Sequence, residues 1–196
     1  MIPARTKTSP TSGIIRLPQK RYTREAIALH WLMAGLIVPV AVSGLLYDDI
    51  PKSWEDRFLN LHAVFGTLTG LLLVARMVWR RQHRPPPLPA SIGPLNRLVS
   101  HWGHVGLYAL MALVPLAGLA ALLARGKGID FGLFEIVSPL ARTPEIARPA
   151  KQIHALLAYA LLAAAAAHMM VALFHQLILR DGLLLRMMPV KNSAGQ

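Results

Sequence analysis

The 196-residue chain contains no cysteine, and this absence excludes several classes of site. Disulfides, thiolate zinc sites, cysteine-ligated iron–sulfur clusters and the CxxCH attachment of c-type haem all require that residue. A metal in this protein must therefore be held by nitrogen, by oxygen or by the sulfur of methionine.

Charge is also scarce, and it is missing altogether from long stretches of the chain. Charged residues make up 15% of the sequence and hydrophobic residues 54%, with a mean hydropathy of +0.44. Four segments contain stretches of at least 18 residues without Lys, Arg, Asp or Glu and show no two-residue alternation, which favours membrane-spanning helices over barrel strands. The sequence predicts an all-α membrane protein, a four-helix transmembrane bundle with helices at about 26–47, 58–79, 98–124 and 152–179.

Basic residues are distributed unevenly between the two ends of the predicted bundle. Fourteen Lys and Arg lie before helix 1, between helices 2 and 3 and after helix 4, whereas the other loops hold seven, balanced by seven acids. The positive-inside rule assigns the first group and both termini to the cytoplasm. The net charge of +12 thus indicates topology, not nucleic-acid binding. Residues 1–20 are expected to form a disordered cytoplasmic N-terminus, and residues 21–190 the transmembrane domain.

Histidine is frequent in the predicted spans, where ionisable side chains are rare and usually face the bundle interior. His154 and His168 are fourteen residues apart, so they lie on nearly the same face of helix 4, at depths ~21 Å apart. Counted from the outer helix ends, His62 matches the depth of His154, and His30 matches that of His168. Counted from the cytoplasmic ends, His30 and His168 disagree in depth, which is resolved if helix 4 projects into the cytoplasm. The predicted pairs are His30 with His168 and His62 with His154.

Two facing histidines at each of two levels in a four-helix bundle are typical of two membrane-bound b haems. Double histidine ligation leaves the iron no open position and therefore favours electron transfer over oxygen binding. A zinc or copper site needs its ligands within one small sphere, which a separation of ~21 Å between levels prevents. A haem-free transporter or assembly protein, whose histidines relay protons or bind ions, is the alternative that the residues leave open.

Several strings of the sequence resemble bacterial cytochrome b561, a four-helix di-haem membrane cytochrome: RYTREAIALHW, NLHAVFG, RLVSHWGHVGLY, AKQIHALLAY and RDGLLLRMMP. The resemblance extends over roughly residues 20–190. It implies two non-covalent b haems in a protein of the bacterial inner membrane. It also implies that His30 and His168 bind the iron of the cytoplasmic-side haem, and His62 and His154 that of the periplasmic-side haem.

The resemblance implies a function as well as a cofactor. Some members are similar to superoxide oxidase, which passes electrons from superoxide to ubiquinone. The expected function is therefore oxidoreductase-type electron transfer between a periplasmic donor, with superoxide preferred over a protein redox partner, and a membrane quinone. Hydrogenase and formate dehydrogenase cytochrome subunits share this architecture, so an electron-transfer anchor of a larger complex is the alternative. Membrane lipid is an expected partner and nucleic acid is not.

Three further residues are candidates for substrate chemistry. His104 and His175 lie at the cytoplasmic ends of helices 3 and 4, where they could donate protons to a quinone, and His101 competes for this role. Each could equally be an interfacial histidine solvated at the headgroups. Lys151 stands at the outer end of helix 4, where its charge and the helix N-terminus would attract a small anion. Its alternative partner is a haem propionate or a loop acid such as Glu145.

Overall fold

The computed structural model describes residues 21–89 and 92–189, so the predicted disordered segment 1–20 lies outside the described residues. Each of the four long helices in this part of the chain is long and apolar enough to cross a membrane. They are α1 (Arg24–Leu45), α2 (Glu55–Gln82), α3 (Pro94–Ala124) and α4 (Pro144–Phe174). The prediction of an all-α, four-helix membrane protein is confirmed.

The helices extend beyond the charge-free windows at most of their ends. Helix α4 begins at Pro144 instead of near residue 152, and proline suits a first helical turn because its missing N–H would have no partner there. Helix α1 begins after Thr23, whose hydroxyl accepts a hydrogen bond from the Ala26 N–H at 3.2 Å. Charged side chains at such ends reach the headgroup region while their backbone remains helical, so hydropathy alone underestimates helix length.

The four helices alternate in direction, which defines two ends of the bundle. We call the end where α1 and α3 begin and α2 and α4 end the basic end, and the other the opposite end. Helix α1 packs chiefly against α2, and α3 against α4. Large apolar side chains such as Val38, Leu71 and Leu116 are about 61% exposed, as expected for surfaces that face lipid tails.

The chain after α4 folds across the basic end. A π-helical turn, His175–Leu179, is followed by a 3₁₀ turn, Leu184–Met187. The buried Arg186 side chain donates hydrogen bonds to the carbonyls of Pro86 and Pro87, at 3.1 and 2.9 Å. The C-terminal segment therefore holds the loop that joins α2 to α3.

A small hairpin between α3 and α4 was not predicted from the sequence. Its strands are β1 (Ile129–Asp130) and β2 (Glu135–Ile136), paired antiparallel. The Asn60 amide of α2 binds the backbone of Asp130 through two hydrogen bonds, at 2.8 and 2.9 Å. The hairpin is thereby fastened to the first turns of α2 at the opposite end.

Candidate cofactor sites

The structure places four span histidines in two close pairs. The ring centroids of His62 and His154, the outer pair, are 5.8 Å apart, and those of His30 and His168, the inner pair, are 6.4 Å apart. Two imidazoles that bind opposite sides of one metal ion, each at about 2.0–2.1 Å, have centroids roughly 6 Å apart. Each pair is therefore spaced to hold one ion between its two rings.

Both rings of the outer pair are oriented by backbone carbonyls of neighbouring helices. Nδ1 of His62 lies 3.0 Å from the Val40 carbonyl oxygen in α1, and Nδ1 of His154 lies 2.9 Å from that of Val114 in α3. A ring that donates its Nδ1–H to a carbonyl keeps Nε2 unprotonated and able to bind a metal. This hydrogen bonding suits two histidines that would bind a metal through Nε2.

Glycines make room for the outer pair on the two helices that do not supply it. A Cβ atom at Gly118 would lie 2.9 Å from Nδ1 of His154, and one at Gly44 would lie 3.1 Å from Cε1 of His62. At Gly118 a Cβ atom would therefore force the His154 ring to move, and at Gly44 the His62 ring would have to shift by a few tenths of an ångström. The glycines let the imidazoles lie directly against the α1 and α3 backbones.

The fourteen-residue spacing found in α4 recurs in every helix of the bundle, which gives two levels ~21 Å apart. Each helix thus supplies one residue to the inner level and one to the outer level. In that order the residues are His30 and Gly44 in α1, Arg76 and His62 in α2, His104 and Gly118 in α3, and His168 and His154 in α4. The outer level consists of two histidines and two glycines. The inner level consists of two histidines together with Arg76 and His104.

Arg76 is an inner-level residue that sequence reasoning missed. The charge-free window ends at Ala75, so Arg76 was counted among the basic residues between helices 2 and 3, although the predicted helix 2 and the observed α2 both include it. The half-buried guanidinium donates hydrogen bonds to the Ala26 carbonyl and to the Tyr108 hydroxyl, both at 3.2 Å. Its position fourteen residues after His62 was the available signal. A cation held in the span could pair with a carboxylate of a bound cofactor.

His104 lies against the inner pair. Its ring centroid is 5.3 Å from that of His168, and its Nδ1 is 2.6 Å from the Ser100 carbonyl oxygen. His101, the competing candidate, is exposed and makes an edge contact with Trp102. Of these two histidines, only His104 makes a ring contact with the inner pair.

His175 pairs with a carboxylate near the basic end. Its Nδ1 lies 2.5 Å from Oδ2 of Asp181, and these side chains are 16% and 20% exposed. His175 follows His168 by seven residues, which places it ~10 Å nearer the basic end on a similar side of the helix. Sequence reasoning missed Asp181, although it is one of only two acids, with Glu25, in the segments assigned to the basic end.

Lys151 pairs with a loop acid, as the alternative interpretation expected, and this acid is Asp48 instead of Glu145. Its Nζ lies 3.3 Å from Oδ1 of Asp48 and 5.5 Å from the ring centre of Tyr47. The Lys151 side chain is 56% exposed, so this ion pair is solvated and contributes little to stability. Lys151 and Arg125 both line the cavity around the outer pair. Arg125, the residue after α3, was not among the predicted site residues.

The donor set of each level fits a porphyrin iron. In residues 21–89 and 92–189, no group of three or more His, Asp or Glu side chains is arranged to hold a metal ion. Each histidine pair could supply two ligands to the iron of a bound haem. The ring spacing, the oriented Nδ1 atoms of the outer pair and the glycine clearances agree with this arrangement.

Comparisons with known proteins agree with a haem-binding membrane protein. Residues 21–190 match the family model described as prokaryotic cytochrome b561. "Cytochrome b561 homolog 2" of Escherichia coli (strain K12) is 33% identical over 178 residues, which cover 89% of this chain and 94% of that protein. "Probable superoxide oxidase CybB" of Yersinia pestis is 31% identical over 177 residues, 89% of this chain and 99% of the relative. "Cytochrome b562" of Cereibacter sphaeroides is 32% identical, with coverage of 85% and 94%.

Proposed function

The chain belongs to the prokaryotic cytochrome b561 family of haem-binding membrane electron-transfer proteins, and we propose that it conducts electrons through two b haems. The resemblance predicted from the sequence strings is thereby confirmed. The observation that carries the proposal is the pair of histidine sites, each with rings about 6 Å apart, at levels ~21 Å apart. Low-spin haem iron with two histidine ligands supplies one-electron chemistry without binding substrate.

In this proposal the chain's own residues hold and orient the two haems. His62 and His154 would hold the outer iron through Nε2, while the carbonyls of Val40 and Val114 keep each Nδ1 protonated. His30 and His168 would hold the inner iron. Arg76 would provide a cation for the propionates of the inner haem.

The orientation follows from the charge difference between the ends. The sequence segments assigned to the basic end contain fourteen of the Lys and Arg residues, so this end would face the cytoplasm of a bacterial inner membrane, with both termini on that side. The outer pair then lies near the periplasm and the inner pair near the cytoplasm. Electrons from a periplasmic donor would reach a membrane quinone, preferably ubiquinone, at the cytoplasmic side.

Superoxide is the proposed donor. The similarity to a protein named as a probable superoxide oxidase supports it, as do the two cations that line the outer cavity. Lys151 and Arg125 would attract a small anion towards the outer haem, although Asp48 partly offsets Lys151. The second candidate function is that of an electron-transfer subunit for a periplasmic protein. The hairpin favours it because Leu133 is 96% exposed and Phe134 59% exposed at its tip.

The donor is tested by the second-order rate of haem reduction with pulse-generated superoxide, measured from low to high salt. We expect a fast rate in the parent that falls as salt shortens the screening length from ~10 Å at 0.1 M. Lys151→Glu should lower the low-salt rate roughly tenfold, because it replaces the attracting charge. Lys52→Glu is the matched control, since exposed Lys52 lies at the same end of the bundle and does not line the outer cavity.

A slow rate that is independent of salt and equal in parent and Lys151→Glu would contradict superoxide as the donor. In that case we would favour the second candidate function, an electron-transfer subunit for a periplasmic protein. Reoxidation of the reduced protein by ubiquinone in the same preparation tests the acceptor separately.

Quinone reduction also requires protons, and His104 and His175 are proposed to deliver them. We expect His104→Ala and His175→Ala each to lower steady-state quinone turnover by about 10²-fold, the lower range for loss of a general acid. Both haems should remain. Asp181→Asn should act in the same direction as His175→Ala, because the carboxylate orients the His175 ring.

His101→Ala is the matched control for proton delivery, since this exposed histidine lies on the same helix as His104. It should leave quinone turnover unchanged. Unchanged turnover in the His104 and His175 variants, with two haems bound, would exclude both residues from the quinone site.

A further inference from the structure

A second cavity opens at the basic end, beside the start of α1, the end of α2 and the loop after α2. Its volume is about 460 Å³, within the ~300–1,000 Å³ typical of small-molecule sites. The described residues that line it include no Asp or Glu. They do include four arginines: Arg21, Arg76, Arg80 and Arg84.

The contacts of these arginines orient their charges without neutralising them. Arg76 donates to the Tyr108 hydroxyl, and Arg80 lies over the same aromatic ring, 5.8 Å from its centre. Arg21 donates to the Met188 carbonyl. An arginine in a protein does not lose its proton, so the mutual repulsion of four guanidinium groups favours an anion between them.

The arginines divide between two depths. Arg76 lies near enough to His30 and His168 to act on both electrostatically, so it belongs to the inner cofactor site. Arg80 is one helical turn, ~6 Å, closer to the basic end, and Arg84 lies beyond the end of α2. Two cations thus lie where a membrane helix meets the headgroup layer.

The wall of the cavity is held in place by the C-terminal segment. Pro86 and Pro87 line the cavity, and the buried Arg186 binds both of their carbonyls. Tyr22 lines the cavity too, and its ring lies 5.8 Å from the Arg186 guanidinium carbon. A wall fixed before binding lowers the entropy cost of ligand capture.

We propose that this cavity binds the phosphate of an anionic phospholipid from the surrounding leaflet, chiefly through Arg80 and Arg84. Arginine forms paired hydrogen bonds with phosphate oxygens, and basic pockets at the ends of membrane helices suit anionic headgroups. Free phosphate presents the same chemistry, but a lipid already lies in the headgroup layer at this depth.

The test is native mass spectrometry of the haem-loaded full chain with phosphatidylglycerol, and with phosphatidylcholine as the zwitterionic comparison. We expect the parent to retain phosphatidylglycerol at least tenfold more tightly than phosphatidylcholine. The Arg80→Gln, Arg84→Gln double variant should lose that preference. Arg81→Gln is the matched control, because Arg81 is the exposed neighbour of Arg80 and does not line the cavity.

Four results would overturn the proposal. They are equal phosphatidylglycerol binding in parent and double variant, an equal loss in Arg81→Gln, displacement of the lipid by millimolar inorganic phosphate, and loss of the inner haem with the lipid retained. Displacement by inorganic phosphate would mean that the cavity binds a soluble anion. Loss of the inner haem with the lipid retained would mean that the arginines bind a propionate of that haem. The haem spectrum reports folding, and the single Arg84→Gln variant replaces the double variant if the latter loses both haems.

Discussion

Replacing His168 with alanine is expected to remove the inner haem and to leave the outer haem bound. The reason is that His168 faces His30 at 6.4 Å between ring centroids, and a single remaining histidine cannot complete low-spin ligation. Haem content should fall from two to one per chain, with the low-spin absorbance roughly halved. Pyridine haemochrome analysis and low-temperature spectra of the purified protein provide the measurement. The haem should enter acidic acetone, because the chain has no cysteine for covalent attachment.

The same experiment tests the pairing. His30→Ala should give the spectrum of His168→Ala, and His62→Ala should give that of His154→Ala. The His104 ring lies only 5.3 Å from that of His168, so His104 could replace His168 as a ligand in the single variant. The experiment therefore includes the double variant His104→Ala, His168→Ala. Two low-spin haems in that double variant would show that the pairing is wrong.

Replacing Gly118 with valine is expected to remove the outer haem. Even the Cβ atom would lie 2.9 Å from Nδ1 of His154, so the imidazole must leave both its carbonyl partner and its place opposite His62. Overpacking of this kind costs about 1–3 kcal/mol in an ordinary core, and here it acts directly on a ligand. The expected spectrum resembles that of His154→Ala, with the inner haem retained.

Gly103→Val is the matched control for this prediction. It makes the same change in α3, at an exposed position where a Cβ atom would meet nothing within 4 Å. It should retain both haems. If Gly118→Val did the same with unchanged spectra, the close approach of His154 to the α3 backbone would not matter for haem binding.

The membrane class and the histidine levels were predictable because both depend on local rules. A stretch without charge has to be long enough to cross the hydrocarbon core, and the helical rise then converts residue numbers into depths. That arithmetic placed His62 beside His154 and His30 beside His168. The helix ends were less predictable, since α4 begins at Pro144, where the composition is already polar.

The partners of charged side chains were beyond this reasoning. The distance along the chain between Lys151 and Asp48 is 103 residues, and nothing in the composition of either loop favours Asp48 over Glu145. The same holds for Arg186 and the Pro86 carbonyl, which are 100 residues apart. Such contacts depend on how loops fold over the ends of the bundle.

The sequence by itself determined that the chain spans a membrane four times and carries histidines at two depths, because hydropathy and helical rise act within each segment. Only the tertiary structure decided what surrounds them. It turned Nδ1 of each outer histidine towards a carbonyl of another helix, placed glycines against those rings and drew Arg76 into the interior. These features depend on rotation and distance between helices, which are set by side-chain packing across the bundle.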